Sequence, residues 1–311
     1  MGYGMSGAAD GRWFPWVFNF PTSYWSQASA FIRYVGTEMG GMENLEGKKI
    51  GLIFLESGYG REPIKLFEAL AEKFGYEFKH WAIPGKQMAD QRSQWRKIVR
   101  YDPDYMFMWG WGAMNPTAVS RAYEFGYPLE RFIGVWWSGD ELDTKPSGMK
   151  AKGYRAGTFH TPGAFAEVHK EILKYAYDGD MAVAKEHNYG DVLWSRGVFN
   201  AMLIDEGARN AILEFGGKIT GKEMRWGLEH INLTEERLAE LGAKGFGRPF
   251  TVTCADHEGN GPVLFQEWDG EKWVIVSDWI EPMRDIVRPM LEQAAATEAE
   301  KWNYTMRDDC T

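Results

Sequence analysis

The side chains whose type and position suggest chemistry are aromatic residues that follow apolar runs. Tyr59 lies in Ser57-Gly-Tyr-Gly60, one residue after Lys48-Lys-Ile-Gly-Leu-Ile-Phe-Leu55. Trp111 lies in Trp109-Gly-Trp-Gly112, directly after Asp104-Tyr-Met-Phe-Met-Trp109. Trp136 and Trp137 lie in Gly134-Val-Trp-Trp-Ser-Gly-Asp140, which closes the run beginning Arg131-Phe-Ile-Gly-Val135. A single Trp of this kind, such as Trp109, reads as core. Several rings at or just past the ends of successive strands read as the wall of a small-molecule pocket. Asp140, close behind the Trp pair, is the nearest carboxylate that could complete such a pocket.

Other chemistries find less support. Gly2-Tyr-Gly-Met-Ser-Gly7 matches G-x-G-x-x-G but has no strand before it and no helix start after it, so a dinucleotide role is not expected. Ser57-Gly-Tyr-Gly60 lacks the Gly-Lys-Ser/Thr ending of a phosphate loop. The 6 His are scattered without metal-ligand spacing, and His257 in Asp256-His-Glu258 reads as part of a polar turn. There is no G-x-S-x-G elbow, and no cysteine beside a strand-to-helix turn with a nearby His. No catalytic constellation, metal site or cofactor is expected. The 2 cysteines, Cys254 and Cys310, are either separate buried thiols or one disulfide tying the tail to a strand. A formal charge of −9 without any basic run argues against nucleic acid. No stretch approaches the ~20 apolar residues of a membrane span. Met1-Gly-Tyr-Gly-Met5 carries neither the basic nor the apolar region of a signal peptide.

The elements that must hold these residues follow a regular rhythm. Strand-like runs begin at Lys48, Tyr76, Asp104 and Arg131, about 28 residues apart, which is close to one strand-plus-helix unit. Between them lie helical patterns: Pro63 to Phe74 with Ile64, Phe67, Leu70 and Phe74 on one face, then Gln87 to Arg100, then Pro116 to Phe125. This alternation predicts βαβ units and a parallel sheet, with the run from Tyr105 to Trp109 apolar on both faces as a doubly covered strand requires. The aromatic segments then share the carboxyl edge of the sheet, where α/β folds bind ligands. The second half predicts helices at 164–177, 193–215, 221–231 and 235–241. Strand runs follow from Phe250, Pro262 and Trp273, with turns at Gly259-Asn-Gly261 and Asp269-Gly-Glu-Lys272, and then a final helix from about Glu281 with Pro289 as a candidate kink. Trp16 to Phe20 reads as a strand and Tyr24 to Tyr34 as a helix.

Across nearly the whole chain the order of these segments resembles the branched-chain amino-acid-type solute-binding proteins of ABC importers. The likeness runs from Lys48–Pro63 through Asp104–Gly112 and Phe132–Trp137 to the long helix with Asn200-Ala-Met-Leu203 and on to Cys254–Val263. The resemblance implies the type I periplasmic binding fold: two Rossmann-like lobes that close on a ligand in the cleft between them. It implies lobe one at 1–48 and 163–258, lacking its N-terminal part in this chain, and lobe two at 49–162 and 259–311. Position by position, Tyr59 and Trp111 match second-lobe aromatic contacts. Gly2 to Ser6, and hence Tyr3, Gly4, Met5 and Ser6, match the first-lobe turn that holds the ligand's polar end.

Where amino-acid binders of the family carry a Glu for the ligand's ammonium, this chain has Trp136. An ammonium buried without an anion is costly, so the expected ligand is an aromatic or aliphatic carboxylate, an amide or a urea-like solute. An amino acid would need Asp140 or Glu141 as substitute, and an aromatic cage could hold a quaternary ammonium. The implied role is that of a periplasmic binding component that partners ABC permease subunits and is not an enzyme. A ligand sensor of the same fold, or an enzyme on a doubly wound sheet, are the competing readings.

Overall fold

The computed structural model describes residues 5–310. In chain order the helices and strands are α1 (Tyr24–Glu38), β1 (Lys49–Leu55), α2 (Gly58–Arg61), α3 (Ile64–Phe74), β2 (Glu77–Ile83), α4 (Arg92–Tyr101), β3 (Tyr105–Trp109), α5 (Met114–Glu124), β4 (Phe132–Gly134), α6 (Glu141–Thr144) and β5 (Arg155–Thr158). There follow α7 (Glu167–Ala176), α8 (Met181–Glu186), α9 (Val192–Phe215), α10 (Gly221–Glu229), β6 (Asn232–Leu233), α11 (Glu235–Glu240) and β7 (Phe250–Thr251). The chain ends with β8 (Leu264–Trp268), β9 (Trp273–Ile275) and α12 (Arg284–Lys301). The chain divides into two compact units and changes unit after Ser23, Thr158, Gly261 and Val287.

Unit two (24–158 and 262–287) is built on a 7-stranded sheet in the order β2-β1-β3-β4-β5-β8-β9. The first five strands run parallel, and β8 and β9 add antiparallel. The register pairs Leu52 with Phe107 and Phe107 with Ile133. Side chains of β3 alternate between two covered faces. Phe107 and Trp109 meet Phe31 of α1 and Phe67 of α3, with ring centroids 5.2–5.9 Å apart. On the other face, where Met106 pairs with Phe132, Trp95 of α4 packs edge-on against Phe132 at 5.3 Å. Each of these buried side chains contributes on the order of 2–3 kcal/mol by apolar burial. The parallel sheet expected from the 28-residue rhythm is therefore present.

Unit one (described from Met5 to Ser23, 159–261 and 288–310) is mostly helical, and among its described residues the strands are β6 and β7, paired antiparallel. Phe159, Phe199, Phe246 and Phe250 form its aromatic core. Arg237 of α11 grips the buried Glu206 of α9 through two nitrogens at 2.7–3.1 Å. A disulfide joins Cys254 to Cys310, with Cα atoms 5.4 Å apart.

The structure departs from the sequence expectation at residues 16–20. Trp16 to Phe20 does not form a strand. Its backbone groups are used singly: Val17 N–H donates to Phe14 O, Asn19 N–H to His257 O, and Val17 O meets the His257 ring. No ladder can form from such isolated bonds. Contacts decide which segments share a compact unit. Residues 24–48 cluster with unit two, because Tyr24 and Phe31 pack on β3, and residues 288–310 cluster with unit one, where the disulfide and the Arg307–Glu229 pair hold the tail.

Candidate functional site

The sheet of unit two reverses its winding at β1. The chain moves from β1 outward to β2, then returns to the other side of β1 for β3. Helices on either side of such a switch point diverge and leave a crevice beyond the carboxyl ends of the two strands, the usual ligand position in open α/β sheets. β1 ends at Leu55 and leads to Tyr59, and β3 ends at Trp109 and leads to Trp111. The Tyr59 hydroxyl bridges the switch point directly, donating to Gly110 O at 2.9 Å. Burial holds the Tyr59 phenol well above its ordinary range, so it is a neutral hydroxyl and not a base. Ser57 caps α2 by accepting from Gly60 N–H at 3.1 Å, which fixes the turn that presents Tyr59.

The loops around Tyr59 are held from below. Buried Asn115 donates to Trp137 O at 2.9 Å, and its amide oxygen accepts from Ser138 Oγ at 3.2 Å. A Cβ at Gly110 would sit 2.1 Å from Asn115 Oδ1, so this close approach requires glycine. Gly112 has φ +54°, a left-handed conformation that glycine adopts without strain. Tyr154 Oη donates to Ser138 O at 2.7 Å, and Gln266 Nε2 to Gly139 O at 2.7 Å.

On this base the aromatic side chains form one connected group. Trp136 lies against Trp137 with centroids 3.8 Å apart, and Trp137 meets Trp111 edge-on at 4.8 Å and 65°. Trp137 Nε1 donates to Tyr24 Oη at 2.7 Å. Tyr24 in turn touches Tyr59 at 5.3 Å and Trp109 at 6.1 Å.

The structure thus brings Tyr59, Trp111, Trp136 and Trp137 together at one sheet edge. Trp111 is 49% exposed and Trp137 partly exposed, whereas Trp136 is only 1% exposed. Trp136 was expected to face a ligand. In the structure the chain leaves β4 in a tight turn over Trp136–Ser138, and Trp136 is the buried member of the pair, lying against Trp137 as its support. Asp140 is buried and caps α6: its Oδ1 accepts from Leu142 N–H at 2.9 Å, while Asp143 returns to Asp140 N–H at 3.1 Å. Met5 is exposed and Ser6 buried at the start of a short turn in unit one, and Tyr3 and Gly4 lie outside the described residues. Tyr24 was missed by the sequence reading. Its position at the first turn of α1 gives no sign that the helix start meets the strand ends.

Unit one holds a cavity of about 690 Å3 lined by Arg225, Trp226, Glu229, Thr253, Arg307 and the disulfide, among others. Its charges face one another: Arg225 pairs with Asp309, and Arg307 with Glu229, which also meets the buried His257 ring at 3.1 Å. Burial opposes ionisation of Glu229, but hydrogen bonds from His257 and Arg307 outweigh it and hold this carboxyl below its usual range. The C-terminal tail forms one wall of that cavity.

The sequence matches the family model of periplasmic binding proteins over residues 3–272. The chain belongs to this family. It resembles a crystal structure described as an ABC transporter permease from the Pseudomonas fluorescens group at 36% identity and a TM-score of 0.92, covering 99% of this chain and 75% of that one. A branched-chain amino-acid ABC transporter protein from Thermus thermophilus with bound valine shares 18% identity and a TM-score of 0.70, covering 88% and 70% of the two chains. A solute-binding protein from R. palustris in complex with benzoate shares 16% and a TM-score of 0.65, covering 90% and 69%. These two establish the shared fold, the type I periplasmic binding architecture. No curated protein matches the sequence. Periplasmic binding proteins are extracytoplasmic and bind solutes without being enzymes. Among the described residues of this binding protein, no helix is long and apolar enough to cross a membrane.

Proposed function

We propose that this chain is the solute-binding component of an ABC importer, working outside the cytoplasm and delivering a small polar or aromatic solute to membrane permease subunits. The observation that carries the reading is the aromatic group at the switch point of unit two, with Tyr59 bridging β1 and β3 and the exposed Trp111 beside it. Family membership supports the binding role. Structures of the same fold described with bound valine and with benzoate support a small carboxylate as one class of cargo. The Tyr59 phenol and the Trp137 indole N–H, which donates to the Tyr24 hydroxyl, are held in hydrogen bonds, an arrangement that suits recognition. The chain would act by binding, with no covalent step.

A thermal-shift screen against amino acids, amides, urea, aromatic acids and quaternary amines tests this. A ligand that binds only the folded state stabilises it by RT ln(1 + [L]/Kd), about 2.7 kcal/mol at 100-fold excess over Kd. A melt raised by one class, with the rise lost in Tyr59→Ala, is the expected result. A cooperative melt that no class moves would count against the reading.

A further inference from the structure

The corner made by Trp111 and Trp137 narrows the class of solute, on the reading that unit two binds one at its switch point. Trp137 is immobilised on three sides. Its indole N–H donates to Tyr24 Oη at 2.7 Å, its carbonyl accepts from buried Asn115 at 2.9 Å, and its ring rests on Trp136 at 3.8 Å. Trp136 is itself buried and lies nearly parallel to Tyr24, at 18° and 6.4 Å. The Trp137 ring is therefore ordered before any ligand arrives, and the entropy of fixing it is not charged to binding. Trp111 differs. It sits between Gly110 and Gly112, is 49% exposed, and meets Trp137 edge-on at 65°. One buttressed indole and one exposed indole at a steep angle make an L-shaped corner. A flat ring entering it stacks on one indole and meets the edge of the other, the two arrangements that the ring quadrupole favours.

The charges nearby are already engaged. Asp140 and Asp143 after the Trp pair cap α6 reciprocally, and Arg61 beyond Tyr59 pairs with Glu56 at 2.8 Å. A compact ammonium would find two ring walls in place of a surrounding cage, and an aliphatic chain would gain only area.

We propose that the solute carries a planar aromatic ring, and that Trp111 and Trp137 clasp this ring as the specificity-determining pair. The corner recognises the ring itself, so a neutral and an anionic aromatic both dock there.

The test is a titration of the full chain with benzamide, benzoate, valine and choline, followed by tryptophan fluorescence and calorimetry. It is repeated on Trp111→Ala and Trp111→Phe, each first shown to melt like the parent. Trp111 is exposed, so neither substitution should disturb folding. The expected result is binding of benzamide or benzoate with a change in tryptophan emission. The affinity falls about ten-fold in Trp111→Ala, which loses both the apolar area and the ring contact, and is partly restored in Trp111→Phe, which returns a ring. Binding of valine or choline in preference to both aromatic probes would leave the solute-binding reading standing and overturn the ring class. Aromatic binding that is indifferent to Trp111→Ala would overturn the role of the pair. No binding by any of the four would overturn both.

Discussion

Unit two and unit one use different means to hold a shape. Unit two has a 7-stranded sheet covered on both faces, and the loops of its site are tied to that sheet by Asn115, Tyr154 and Gln266. Unit one, among its described residues, has a two-stranded ribbon and relies on point fastenings: the Cys254–Cys310 disulfide, the Arg237–Glu206 pair, and the tail contacts of Arg307 and Asp309. The contrast teaches where precision resides. A ladder of backbone hydrogen bonds fixes strand ends to fractions of an ångström. Side-chain fastenings hold segments in place but depend on redox state and pH.

The comparison can be broken first at the core of unit two. Trp109 is fully buried and touches Tyr24, Phe31 and Phe67, so Trp109→Ala should cost about 3–5 kcal/mol in denaturant unfolding and also unseat Tyr24. A loss below ~1 kcal/mol would mean that the sheet is not the stabilising frame. Next comes the disulfide of unit one. Its 56-residue separation implies about 4 kcal/mol in the chain-entropy model, and about 2–4 kcal/mol is usual. Cys254→Ser with Cys310→Ser should lower amide protection in unit one while the amides of β1 and β3 stay unchanged.

Acid sharpens the contrast further. Burial pushes the His160 imidazole down to about 3, aided by the Arg196 charge, and burial alone pushes His169 down to about 4. Both belong to unit one. In the unfolded chain they take protons below pH ~6.5, whereas in the folded chain they resist until pH 4 or lower. Stability is therefore complete above about 6.5 and drains away as pH falls toward 4. Glu229, held below its usual range, adds a further loss once pH falls below the ordinary carboxylate value. Hydrogen exchange across this range should show unit one opening before unit two, and the reverse order would contradict the contrast.

The smallest expected effects are at helix caps. Thr220 in unit one and Asp140 in unit two each close a capping box, so Thr220→Ala and Asp140→Ala should each cost about 1 kcal/mol in equilibrium unfolding. If Asp140→Ala instead abolishes solute binding with little change in stability, Asp140 is a ligand contact and not a cap.

Much of unit two was legible in the sequence because its signals are local and repeat. Runs such as Ile50–Phe54 and Met106–Trp109 are apolar on both faces, and glycines punctuate the turns after them. The edge position of Tyr59 and Trp111 followed from that rhythm. What escaped depends on packing between distant segments. Tyr24 reaches the site only because α1 docks on β3, which no local pattern encodes. Trp136 and Trp137 are adjacent and alike in sequence, and the tight turn after β4 alone decides which is buried. Trp16 to Phe20 has the composition of a strand, but its backbone groups find single partners around His257 in place of a neighbouring strand. The cysteine spacing left bonded and free states open, and the approach of the tail to the segment after β7 determines the bond.

The central claim is that the solute binds on the strand-end aromatic face of unit two. Hydrogen exchange of the full chain, with and without the solute that raises the melt most, tests it directly. The account predicts added protection at 57–61, 109–115 and 135–140. Protection confined to 225–231 and 305–310, around the cavity beside the disulfide, would contradict it.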